Sequence, residues 1–125
     1  MSNYLENALI NEVLRATNYT APTTVYVALF TSDPTDAGSG TECSGTSYAR
    51  QSATFAAPSN GASSTSADIN FPQAGGSWGT ITHFGIFDAL TTGNLLVHGA
   101  LTTSKTIDTG DVFKIASGSL TVTFA

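Results

Sequence analysis

One change of hydrophobic period governs what this chain can become. Between Asn3 and Ala16, the residues Leu5, Ala8, Leu9, Val13 and Ala16 recur at the three- and four-residue spacing that lines one face of a helix. Beyond Pro22 the period is two. Residues 24–30 (TVYVALF) are β-branched, aromatic and apolar on both faces, while Ala67, Ile69 and Phe71, and later Leu120, Val122 and Phe124, alternate with other residues. A chain with one early helix and only strands after it builds its core by packing β-layers on one another. The spacing predicts a helix over 3–16, capped by Asn3, with Glu6 completing a capping box and Arg15 at the negative end. Pro22 disfavours helix at Ala21 and closes the segment.

The strands follow from the same reading. Residues 24–30 suit a central strand, and 47–55, 67–71, 80–88, 95–101, 103–107, 112–115 and the stretch from Leu120 onward are further candidates. The 91–94 turn (TTGN) joins 80–88 to 95–101 as a hairpin, and 108–111 (DTGD) is a second hairpin candidate. Residues 31–46 are dense in turn formers and read as a long exposed loop. The expected fold class is therefore mainly β. One domain, 1–125, carries the helix at 3–16 and a β-sandwich or jelly-roll-like body over 23–125, with seven to eight short antiparallel strands.

Charge then narrows the functions. The chain has 125 residues, of which four are Lys or Arg and nine are Asp or Glu, a net charge of −5. At 10% charged it falls well below the roughly 25% of an average domain. Spread over the approximately 6,300 Å² that a folded monomer of this mass exposes, that is about one charge per 480 Å². Arg15, Arg50, Lys105 and Lys114 lie far apart, so no basic patch offers itself to nucleic acid or anionic lipid. The longest apolar run, from Val25 to Phe30, is too short to span a membrane, and a secretory leader is not expected at the N-terminus. The single cysteine, Cys43, stands in a polar stretch and reads as an incidental thiol.

Candidate chemistry is sparse. His83 and His98 sit inside strand patterns, no G-x-S-x-G elbow is present, and no enzyme is expected. Asp33 and Asp36 faintly resemble an oxygen-rich calcium loop but lack its ligand spacing and distal Glu; an Asx turn before Pro34 explains them as well. Asp108 and Asp111 have the same standing, and no metal or other cofactor is expected. Gly75, Gly76 and Gly79 around Trp78 lack the Lys and helix of a phosphate loop. The Asn18-Tyr19-Thr20 triplet reads as a chance match to a glycosylation site. Trp78, Tyr48 and Tyr26 could line a sugar-stacking face, against the commoner use of such aromatics in core or interface packing.

Several blocks in one order carry a resemblance. They are Ser2-Asn3-Tyr4-Leu5-Glu6-Asn7, residues 24–30, Asp33-Pro34-Thr35-Asp36, Ser47-Tyr48-Ala49-Arg50-Gln51, residues 78–88 (WGTITHFGIFD) and Gly93-Asn94-Leu95-Leu96. Together they resemble a family of small structural proteins of tailed bacteriophages, commonly labelled tail fibre or virion structural proteins. The resemblance implies a virion subunit, and sparse charge with no long repetitive shaft favours a capsid cement (decoration) protein over a tail component. Its partners would be the major capsid protein and itself, as a homotrimer on a local threefold axis. A host glycan would be the partner only under the tail alternative. Tyr4, Leu5, Leu9 and Val13 on the helix, Asp33 and Asp36 in the loop, and Trp78 are the interface candidates.

Overall fold

The computed structural model describes residues 1–124; Ala125, the end of the expected 23–125 body, lies outside the described residues. In chain order it forms α1 (Asn3–Arg15), β1 (Val25–Phe30), β2 (Gln51–Ala53), β3 (Ala62–Ser64), β4 (Ile69–Asn70), β5 (Gly79–Phe87), β6 (Leu95–Ile107), β7 (Lys114–Ile115) and β8 (Thr121–Thr123). The protein is mainly β, 36% strand and 10% helical, with one N-terminal helix and eight antiparallel strands among the described residues, as the periodicity predicts.

The layers differ from a jelly roll. One four-stranded sheet runs β2-β1-β5-β6, and two two-stranded ribbons, β3–β8 and β4–β7, stand apart from it. The second layer is thus broken in two. Its strands come from the Ser-, Gly- and Thr-rich segments 54–74 and 108–124, where only two or three consecutive residues find partners. β1 lies between β2 and β5 and is buried on both faces over Val27, Ala28, Leu29 and Phe30, the central position its sequence predicts. Val27 and Leu29 face the main core with Ile81, Ile86 and Val97, where Ile69, Phe71, Phe113 and Leu120 cover them. Ala28 and Phe30 face the other way, into a smaller cluster with Phe87 and Leu95.

Two hairpins were expected and one forms. β5 and β6 pair through the 88–94 turn, with Phe87 opposite Leu95. The second does not close, because β7 pairs with β4, Ile69 opposite Ile115. The 108–111 turn is instead drawn to the chain around Ala74: Gly110 N–H donates to the Ala74 carbonyl (2.7 Å), and Ala74 N–H to that of Asp111 (2.9 Å). The break expected after Leu101 falls inside one continuous strand as a register shift, since Ile81 faces Lys105 while His83 faces Ala100. β3 was missed, its sequence (ASS) having no apolar alternation.

The helix is shifted by one residue from its expected cap. Ser2, not Asn3, is the N-cap: its hydroxyl oxygen accepts the Leu5 N–H (3.2 Å) and donates to the Leu95 carbonyl. Glu6 therefore falls outside capping-box position and serves only as an acid in the first turn. The helix ends at Arg15, well before Pro22, because Ala16 turns left-handed (φ 53°). Residues 17–19 then fold back along it, with Tyr19 N–H on Glu12 Oε2 (2.6 Å) and the Tyr19 ring edge-on to Tyr4.

Candidate interaction surfaces

The strongest polar constellation lies between the 42–50 segment and the β5–β6 turn. Arg50, only 8% exposed at its side chain, meets Glu42 through two bonds, Nε to Oε2 (2.9 Å) and Nη2 to Oε1 (2.8 Å). Its Nη1 donates to the carbonyls of Ala89 (2.9 Å) and Thr92 (2.8 Å), and its guanidinium lies 3.8 Å over the Phe87 ring. Tyr48 completes the group: its hydroxyl donates to Glu42 Oε2 (2.7 Å) and accepts the Leu29 N–H (3.0 Å). Burial, and then the bond given to Glu42, pushes the Tyr48 hydroxyl well above the usual tyrosine range. Every polar atom here has a use within the chain. This is a structural clasp that fastens the 42–50 segment to the β5–β6 turn.

A second constellation joins residues far apart in sequence. His98 on β6 places Nε2 2.8 Å from Asp36 Oδ1 and Nδ1 3.8 Å from Asp33 Oδ1. Asp33 also accepts the Thr35 N–H (2.9 Å), the Asx turn its sequence suggests, and the Asp36 carbonyl accepts the Asn3 N–H (2.9 Å). The 31–41 loop is thereby tied to the sheet edge and the helix start, and Pro34 is fully buried beneath it. The loop is exposed over most of its length, as its sequence suggests, and Asp33 and Asp36 remain more than half exposed while holding it to the body. Among the described residues no group of three His, Cys, Asp or Glu side chains could hold a metal ion.

Of the aromatic candidates, Trp78 lies inside and Tyr48 packs against it, while Tyr26 on β1 is half-buried. Trp78 is 3% exposed, its indole N–H donates to the Thr46 carbonyl (2.9 Å), and its ring meets Tyr48 edge-on at 5.4 Å. Tyr48 in turn stacks on Phe71. These rings form core rather than a sugar platform, and Trp78 offers no face to a partner. Cys43 is also buried, with burial raising its thiol pKa, despite its polar sequence neighbours.

The helix separates into two halves. Leu5 is 5% exposed and belongs to the core, and Leu9 packs partly against it. Tyr4 is 41% exposed and Val13 74%. Two further apolar residues were missed: Ile10 at 53% and Leu14 at 75% exposed. They stand at i and i+4 beside Val13, so the apolar arc is wider than the 5, 8, 9, 13, 16 set alone suggests. α1 is pinned by its first turn, where Ser2 N–H donates to the Leu96 carbonyl (2.8 Å), and its C-terminal half presents an apolar ridge.

Comparison with known proteins supplies the family. The family described as Podophage GP4 fiber I protein gp80 matches residues 1–123. The chain belongs to that family. No curated protein matches it. Membership in the fiber I protein family agrees with the resemblance drawn from the ordered blocks, which lie on elements spaced throughout the match: the α1 cap, β1, the Arg50 clasp and the β5–β6 hairpin.

Proposed function

We infer that the chain is a non-enzymatic structural subunit of a tailed-phage virion, serving in the tail as part of a fibre. The observation that carries this reading is the family match over 1–123, whose description is that of a fibre protein. The body suits such a role. Two internal clasps, one at Arg50 and one at His98, fasten its long loops, so a partner meets a rigid surface rather than paying to order one. The mechanism is contact between proteins, with no bond made or broken.

The capsid-cement role rests on sparse charge and on the lack of a repetitive shaft in these residues; sparse charge suits a subunit buried among neighbours at either place, and a fibre also uses modules that are not shaft. A glycan-binding tip would need a site other than Trp78 and Tyr48, which are used in the core. Deletion of the gene from its phage separates the two roles. For a fibre component, particles lacking the protein keep their DNA under osmotic or thermal shock and lose adsorption to host cells. Particles that adsorb normally but burst would overturn the fibre reading in favour of cement.

A further inference from the structure

We propose that the cleft between β6 and β7 binds an acidic sugar, with Lys105 holding its carboxylate or phosphate. β6 bulges here: Ile81 faces Lys105 and His83 faces Ala100, so residues 101–104 of β6 stand opposite Thr82 alone. Bulges re-aim side chains and recur beside functional sites. The β4–β7 ribbon, one half of the broken second layer, lies across from the bulge. Between them is a cleft of about 430 Å³, with the nearly buried Phe84, Phe113 and Leu120 as its floor. Thr102 and Thr103 of the bulge, and Ser119 after β7, bring hydroxyls to its lining.

Charge chooses the ligand. The chain has only four basic side chains and a net charge of −5, yet Lys105 and Lys114 both line this cleft and no acidic residue does. Asp68 already holds Lys114 Nζ at 3.2 Å, while Lys105 has no ion-pair partner among the described residues. Lys105 is also unusually placed. It pairs with the fully buried Ile81 and so occupies a core-facing register of the sheet. An inward lysine or a bulge can serve merely to deter pairing at a sheet edge, but neither calls for a second lysine, three hydroxyls and an apolar floor in one cleft. Together these groups suit a pyranose that carries an acid: the ring face on the floor, ring hydroxyls on Thr and Ser, and the anion on the ammonium. Binding belongs to the chain itself; only its use, contact with an acidic surface polysaccharide, rests on the fibre reading.

Titration of the isotope-labelled full-length chain, followed by its amide NMR shifts, tests this with glucuronate, glucose-1-phosphate and glucose as probes. Amides within 101–105 and 114–119 should shift saturably with an acidic sugar, and the two acidic probes tell whether carboxylate or phosphate is preferred. Glucose, which lacks the charge, should bind about fivefold more weakly or worse, and Lys105→Gln should weaken the acidic sugar by a similar factor. Lys105→Arg should restore most of the affinity. Lys105 is exposed, so the thermal midpoint of Lys105→Gln should stay near that of the unmodified chain. Absence of saturable shifts at these amides with both acidic sugars, equal binding of glucose, undiminished binding by Lys105→Gln, or saturation by tetraglutamate alone would overturn the proposal.

Discussion

Replacing Arg50 by Ala strips the Glu42 carboxylate of both guanidinium bonds and leaves the Ala89 and Thr92 carbonyls without their donor. Breaking a largely buried pair from one side costs about 3–5 kcal/mol, and the urea midpoint should fall accordingly. Arg50→Lys should recover little, since an ammonium cannot hold a carboxylate in a fork and two carbonyls at once. Tyr48 gives a pH signature. Its folded-state pKa is raised, so above about pH 10 the unfolded chain releases a proton that the native chain keeps. Stability is therefore full below that pH and declines as pH rises through it. Tyr48→Phe should cost about 1–3 kcal/mol at neutral pH and flatten the alkaline decline in urea titrations. A residual slope from Tyr19 and Cys43, whose pKa values burial also raises, should persist.

Among the elements, β5 depends on an absence. Gly85 lies at the floor of the smaller cluster, where a Cβ would stand 2.9 Å from Leu95 Cδ1 and 3.0 Å from Phe30 Cε1. The Phe30 and Phe87 rings stack there at 6.1 Å. Gly85→Ala should overpack this side and destabilise by about 1–3 kcal/mol, read as a lowered thermal midpoint. β1, β5 and the start of β6 were legible because their apolar runs are long and the turn between β5 and β6 carries Gly93 and Asn94. The β3–β8 and β4–β7 ribbons were not fully legible. Their pairings join residues tens of positions apart, and strands of two or three residues show no period. The same distance hid the His98 contact with Asp36, 62 residues away. Trp78 misled because a core tryptophan and a surface one look alike when its neighbours are Gly, Ser and Gly.

For the molecule as a whole, the scarce charges are used as fasteners. Arg50 holds Glu42, Lys114 holds Asp68 at 3.2 Å, and His98 holds Asp36, which leaves Thr, Ser and Gly to supply much of the surface. That surface and the exposed apolar residues of α1 suit the structural role proposed for this member of the fibre family. Cryo-EM reconstruction of the virion tests the tail assignment most directly. Density fitting the four-stranded sheet with α1 packed beside it is expected on the tail. Density confined to the quasi-threefold positions of the head, with none on the tail, would contradict it.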